Sequence, residues 1–471
     1  MENGGSHRPH IAMLPSPGIG HLFPLAELAK LLVDRHQFTV TFINFAASEN
    51  KTTQAVLSTL PSSITSVSLP PVPLDDLPDD AAIETRMSIV SLRSLPALRS
   101  VLSELRSTTN LVAFLADFFA ADGLSVARDL GIFHYMFVPT NLHFLTLMLE
   151  LPALVDAKKV PCTELAKPVP LPCCVPILAQ QIPVPLRDSA NEAHRWMIRH
   201  AGFYRQAQGI LVNSCAAIEP GPAKVLTSAT GAPSHPPVYL VGPLIKSPSD
   251  SVSKLKSSCI RWLDDQPQGS VLFVSFGSGG TLSRRQLGEL ALGLELSGHR
   301  FLFTVRSTNE DSASAYFTAI TKENPLCHLP EGFIDRTKDH GLVVPSWAPQ
   351  IEVLAHASTG GFLSHCGWNS TLESIAHGVP MIAWPLFAEQ MMNAVMLTEA
   401  ARVAVHPKPG EDGIYDREEV ARVVRELMEG EKGKLVRHKV RELKEAAATA
   451  LVVGGSSYSA LEEVTQKWKS F

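Results

Sequence analysis

Short apolar runs alternate with amphipathic stretches along most of this chain, and that alternation constrains the fold more than any other feature. Segments 10–15, 38–43, 111–117, 132–138 and 209–213 read as buried strands. Between them, 22–35, 83–106 and 123–130 read as helices. Strands alternating with helices imply a parallel sheet covered on both faces. The pattern then restarts. Segments 271–276, 301–305, 342–344, 361–364 and 381–384 read as strands, with helices at 284–296, 351–356, 370–377 and 390–401. Charged amphipathic helices at 417–429, 434–451 and 458–468 close the chain. The expected fold is α/β, with two doubly wound, Rossmann-like domains.

A length of 471 residues supports that division, because one hydrophobic core stops growing well below it. The stretch 243–258 is rich in Pro, Ser and Lys and reads as the linker. The expected domains are therefore 1–242 and 259–455, with a last helix at 456–471 packing back on the first. The segment 309–327 reads as a mobile excursion of the second domain. Charged residues make up 18% of the chain, net charge is −5 and Lys/Arg runs are absent, which argues against a nucleic-acid partner. The seven cysteines (162, 173, 174, 215, 259, 327 and 366) are odd in number and lack zinc or disulfide spacing, so a reducing compartment is expected. Residues 1–10 are polar, and the apolar stretch after them is broken by Pro15, Pro17, Gly18, Gly20, His21 and Pro24. That pattern fits neither a signal peptide nor a membrane span. The expectation is a cytoplasmic, monomeric enzyme without integral membrane association.

Open parallel sheets bind ligands beyond the carboxyl ends of their strands. His21 lies just past the first strand and Asp117 ends the strand at 111–117. Ser278 follows the strand at 271–276, and His365 follows the one at 361–364. Four polar candidates thus fall where a doubly wound fold makes clefts.

The densest group lies at 347–390. Trp347 offers an indole face on which a nucleobase stacks, with the amide of Gln350 nearby; a core tryptophan is the plainer alternative. Asn369 and Ser370 open a helix after Gly367, where backbone N–H groups and the helix dipole favour phosphate, or where both simply cap the helix. His365 is either a phosphate donor or a buried ring bonded to backbone. Glu373 accepts from ribose hydroxyls or complements the dipole. Glu389 and Gln390 combine an acid with an amide, a pair suited to adjacent sugar hydroxyls. Each alone is weak; their order and spacing carry the signal.

That order and spacing resemble the signature box of plant family-one UDP-glycosyltransferases, over its full length without a gap. The resemblance extends to Pro15-Ser16-Pro17-Gly18-Ile19-Gly20-His21 and to Phe276-Gly277-Ser278-Gly279-Gly280. Pro70-Pro71-Val72, Asp75-Asp76-Leu77-Pro78, Glu84-Thr85-Arg86 and Arg93-Ser94-Leu95-Pro96 are most similar to hydroquinone (arbutin-forming) and related phenol glucosyltransferases. The resemblance implies a GT-B fold whose two domains face a central cleft. It implies that Trp347 stacks uracil beside the Ala348 backbone and Gln350, and that Glu373 holds the ribose. Ser278, His365, Asn369 and Ser370 would hold the diphosphate. Trp368, Glu389, Gln390 and Thr140 would face the sugar, with Gln390 favouring glucose.

A phenol has a pKa of about 10 and needs a base at neutral pH, a task suited to histidine. His21 can be that base, or a helix-start residue bonded to backbone. Asp117 can fix its tautomer and stabilise the imidazolium, with Asp122 as a nearby competitor; the resemblance favours Asp117. The implied reaction is one displacement with inversion, giving a β-glucoside. No Asp-x-Asp triplet occurs, which argues against a metal that grips the diphosphate, so the expected site has UDP-glucose as co-substrate and no metal. Phe118, Phe119, His143, Phe144, Leu145 and Met148 suit a planar phenolic acceptor, or belong to the core. The same donor with C- or N-glucosylation, a UDP-sugar epimerase and a silent UDP-sugar binder remain as alternatives.

Overall fold

The computed structural model describes residues 8–46, 51–78, 81–160, 167–228, 235–246, 257–309 and 324–470. The linker reading at 243–258 falls mostly on 247–256, and the excursion read at 309–327 mostly on 310–323; both stretches lie outside the described residues, as does Cys162. The chain forms two compact units, one of residues 1–245 with 450–471 and the other of residues 246–449.

The first unit contains β1 (Pro9–Leu14), β2 (Thr39–Phe45), β3 (Ile64–Leu69), β4 (Asn110–Ala116), β5 (Phe133–Val138), a small hairpin of β6 (Pro168–Val169) and β7 (Ile177–Leu178), then β8 (Gly209–Val212) and β9 (Val238–Leu240). Its main sheet runs β3-β2-β1-β4-β5-β8-β9, with every pair parallel. Strand order therefore reverses between β1 and β4. The second unit contains β10 (Val271–Ser275), β11 (Arg300–Val305), β12 (Gly341–Pro345), β13 (Thr359–Ser364), β14 (Met381–Ala383) and β15 (Ala404–Val405). Its order is β12-β11-β10-β13-β14-β15, again parallel, and it reverses between β10 and β13. A reversal opens a crevice at the carboxyl ends of the two strands beside it, because their connections leave to opposite sides.

Both faces of the second sheet are covered. Leu272 and Val274 join one buried cluster while Val271 and Phe273 join the other, as the two-residue period of a strand requires. This explains why the strands read as continuous apolar runs. In the first unit the main cluster gathers Ile11, Met13, Leu25, Phe42, Leu115 and Phe137. Its last contributor is the C-terminal helix Ser456–Lys469, through Leu461, Val464 and the fully buried Trp468. Trp468 meets Phe38 and Tyr135 edge-on, at 6.1 and 5.2 Å between ring centres.

Several elements differ from the sequence reading, three helical stretches among them. The helix read at 83–106 is two, Ile83–Arg93 and Leu95–Thr108, joined at Ser94. Pro96 has no N–H to continue the ladder, and the Ser94 hydroxyl bonds the Val90 carbonyl at 2.7 Å. The helix read at 390–401 relaxes from α (Gln390–Val395) to a π turn (Met396–Ala400). An unassigned stretch forms the helix Leu142–Asp156, which is apolar nearly all round and so shows no stripe. Among the described residues, no helix is long and apolar enough to cross a membrane.

Candidate active site

In the first unit the candidate residues come from the two strands at the reversal. After β1 the chain turns through Gly18, whose φ of 123° suits only glycine, into the helix Ile19–His36. That turn sets His21 in the first helical turn. Asp117 follows β4 directly, and its backbone N–H bonds the Leu14 carbonyl at 3.2 Å. The two side chains meet: His21 Nδ1 and Asp117 Oδ2 are 2.8 Å apart. Asp117 is fully buried, whereas the His21 side chain keeps 25% exposure. The other carboxylate oxygen accepts from the Ser16 hydroxyl at 2.9 Å and from the Phe118 N–H. Ser16 in turn accepts from the Phe119 N–H at 2.8 Å. A carboxylate only accepts, so Nδ1 of His21 carries the hydrogen, and in the neutral ring the lone pair is then on Nε2. Asp122 is engaged elsewhere, taking Arg199 Nε at 2.9 Å.

Phe118 and Phe119 form a short turn capped by Asp117, with their rings edge-on 4.4 Å apart between centres. Phe119 lies 6.3 Å from the His21 ring and Phe118 lies 5.5 Å from Phe144. His143 is buried, and its Nδ1 bonds Glu219 Oε1 at 2.8 Å. Glu219 also takes the N–H groups of Leu142 and His143 and the Ser214 hydroxyl, so a buried carboxylate sits on the N-terminus of the helix Leu142–Asp156. Leu145 and Met148 are fully buried in that helix. Thr140, partly exposed, lies just past the end of β5.

The second unit repeats the arrangement. Trp347 follows β12 and is 73% exposed, so it is not a core tryptophan. Ala348 is buried in the core below it. Gln350 Nε2 reaches Ser370 Oγ at 2.9 Å and Glu373 Oε2 at 2.6 Å. Burial raises the Glu373 carboxyl to about 7 against the pull of Gln350's hydrogen bond. His365 follows β13. A Cβ on Gly277 would lie 2.6 Å from its ring, and one on Gly367 2.4 Å. Glycine at both positions therefore leaves the ring its slot. Burial, helped by the charge of Arg306, lowers the His365 pKa to about 4, so the ring is neutral. Ser278 is exposed just past β10.

The helix Trp368–His377 starts at Gly367 with no side-chain cap, and the N-terminal end of a helix dipole favours an anion. Trp368 itself is buried, Asn369 is partly exposed and Ser370 is buried. Glu389 accepts from Asn393 Nδ2 at 3.3 Å. The side-chain oxygen Oε1 of Gln390 accepts from the Leu386 and Phe387 N–H groups at 2.9 and 3.0 Å.

Two features escaped the sequence reading. Ser16 and Asn393 tie the loops together: Asn393 Nδ2 also reaches the Cys366 carbonyl at 2.8 Å. Neither has a spacing that announces it, since Ser16 and Asp117 stand 101 residues apart. The second feature is backbone conformation. Among the described residues, seven non-glycine residues have positive φ. Three of them, Ser346 (64°), Cys366 (63°) and Ala388 (54°), stand directly beside Trp347, His365 and Glu389. Left-handed backbone at ordinary residues is strained and recurs at active sites and ligand clamps, although Gln37 adopts it simply to end a helix.

Two parallel doubly wound units with polar groups at their strand-order reversals are the architecture of a GT-B fold, which solved plant glycosyltransferases share. The chain belongs to the UDP-glycosyltransferase family: residues 262–433 match the family described as UDP-glucoronosyl and UDP-glucosyl transferase. It is 49% identical to the hydroquinone glucosyltransferase of Rauvolfia serpentina over 467 residues, covering 98% of each chain. It is 48% identical to UDP-glycosyltransferase 72B1 of Arabidopsis thaliana, over 99% of this chain and 97% of that one. Among solved structures, Phytolacca americana UGT2 complexed with UDP-2fluoro-glucose and pterostilbene superposes with a TM-score of 0.89 at 45% identity, covering 98% of this chain and all of the other. A UDP-glucosyltransferase from Polygonum tinctorium capable of glucosylating indoxyl, in complex with 3,4-dichloroaniline, gives 0.91 at 46% identity, with 98% and 99% covered.

Proposed function

We propose that this enzyme transfers glucose from UDP-glucose to a hydroxyl of a small phenol, with inversion, to give a β-glucoside. The observation that carries the proposal is the buried, fully hydrogen-bonded Asp117 with its oxygen 2.8 Å from His21 Nδ1. That bond orients the ring, leaves Nε2 as the base and stabilises the imidazolium once Nε2 takes the phenolic proton. The oxygen attacks the anomeric carbon as the bond to UDP breaks on the opposite face. UDP leaves with its charge met by the first N–H groups of the helix Trp368–His377 and by His365, with no metal in the step. Trp347 stacks the uracil, Glu373 takes the ribose hydroxyls, and Glu389 with the Gln390 amide nitrogen meets the sugar.

The phenolic class is supported by the named relatives and by the aromatic wall of Phe118, Phe119 and Phe144 beside His21. We further propose that the enzyme works in the cytoplasm as a monomer. His21→Ala is expected to lower phenol glucosylation by roughly 10²–10⁴-fold, the usual worth of a general base, while UDP affinity stays within twofold. Undiminished turnover in that variant, measured by mass detection of the glucoside, would end the assignment. Full activity in a chelator is expected, and a product that resists acid hydrolysis would point to a C-glucoside instead.

A further inference from the structure

The residues assigned above to the donor do not balance its charge. Ser278, Asn369 and Ser370 are neutral, His365 is held neutral by burial, and Glu373 and Glu389 are acids. A nucleoside diphosphate is strongly anionic, and amide dipoles alone leave that charge only partly met. Among the described residues, no group of three His, Cys, Asp or Glu side chains stands ready to hold a cation.

One arginine stands at the right strand end. Arg306 directly follows β11, the strand between β12, which leads to Trp347, and β10, which leads to Gly277 and Ser278. Its Nη1 donates to the Gly277 carbonyl at 3.3 Å. Gly277 is the left-handed turn residue, φ 68°, that makes one side of the His365 slot. The guanidinium therefore lies against the loop that carries Ser278, between the stacking position for the base and the turn for the phosphates. It is partly buried, where a charge acts over a few ångströms more strongly than in open water.

We propose that Arg306 is the cation of the donor site, neutralising the diphosphate of the UDP-sugar and of the UDP that leaves. The proposal rests on the donor-site reading above and names a residue in it that carries formal charge. It makes Arg306 act on the phosphates and not on the base.

The test separates these parts by comparing uridine with UDP. Binding to the full-length chain is measured by calorimetry for the wild type, Arg306→Gln and Arg306→Lys at pH 7.5. The wild type should bind UDP far more tightly than uridine. Arg306→Gln should lose about 10- to 100-fold of that ratio, the worth of one charge-assisted contact, with uridine affinity unchanged. Arg306→Lys keeps the charge and should keep most of the ratio, and added salt should weaken UDP binding less in Arg306→Gln than in the wild type. An unchanged UDP-to-uridine ratio in Arg306→Gln overturns the proposal and leaves the donor site standing. Equal losses in the Gln and Lys variants overturn it in favour of a purely structural arginine. A wild type that binds UDP no better than uridine removes the donor-site reading as well.

Discussion

Glu373 offers the sharpest test of the proposed donor site, because there its proton and the ribose would compete for one carboxylate. In the free protein burial holds the carboxyl at about 7, against an ordinary value of 4.5. Hydrogen bonds from two ribose hydroxyls favour the ionised form and should return it toward the ordinary value. At pH 5.5 only about 3% of the free protein would then carry the carboxylate, against about 90% of the complex. Affinity at pH 5.5 should therefore be about 30-fold weaker than at pH 8, with most of the change between pH 5.5 and 7.

Uridine is the ligand to use, since the phosphates of UDP titrate in the same range. His365, already neutral with a pKa of about 4, does not titrate across this window. Calorimetry in buffers of different ionisation enthalpy should show close to one proton released per uridine at pH 6. The same shift has a stability side with the opposite sign. A carboxyl raised in the folded state contributes stability that is present below 4.5 and is lost as pH rises through about 7. The free protein should soften over that window while uridine's stabilisation grows. Glu373→Gln should flatten both curves. A wild-type uridine affinity that stays within twofold from pH 5.5 to 8 would refute the argument, whatever the activity does.

Three further outcomes follow from the geometry. Gly367→Ala places a Cβ 2.4 Å from His365 Nε2, so the ring must leave its slot; the UDP dissociation constant should rise about 10- to 100-fold, and an unchanged constant would show that the slot is irrelevant to the donor. Ser16→Ala removes one donor to Asp117 and orphans the Phe119 N–H, which should cost roughly 1–3 kcal/mol in urea melts and lower phenol turnover while sparing UDP binding. Equal losses of turnover and UDP affinity would contradict that. Glu219→Gln turns an NH₂ group toward donors that now meet only a carboxylate, and about 1–3 kcal/mol of stability should be lost; a melt like the wild type's would mean those four contacts are easily replaced.

What could be read from the sequence tracks how local each determinant is. A buried parallel strand declares itself through an unbroken apolar run, and His21, Asp117, Ser278 and His365 were found because each sits within a few residues of one. β3 and β9 escaped for the converse reason. β3 is a half-exposed edge strand with Ser66 and Ser68 among its six residues, and β9 is a three-residue edge. Neither needs the composition that marks a central strand. Ser94 and Pro96 mark the helix break, although the stretch 83–106 read as one helix.

The contacts that turn these positions into a site are another matter. Ser16 meets Asp117 across 101 residues, and His143 meets Glu219 across 76. Only the adjacency of β1 with β4, and of β5 with β8, brings those loops together. The sequence shows which residues end up at strand ends, while the strand order decides which ends are neighbours. That is why His143 looked like a pocket residue from its place near His21, although the fold gives its Nδ1 an internal carboxylate. It is also why Arg306 drew no notice. An arginine at the end of an apolar run has a plain reading as a solvated charge. It becomes a candidate for the diphosphate only once β11 is known to lie between the strand that leads to Trp347 and the strand that leads to Gly277.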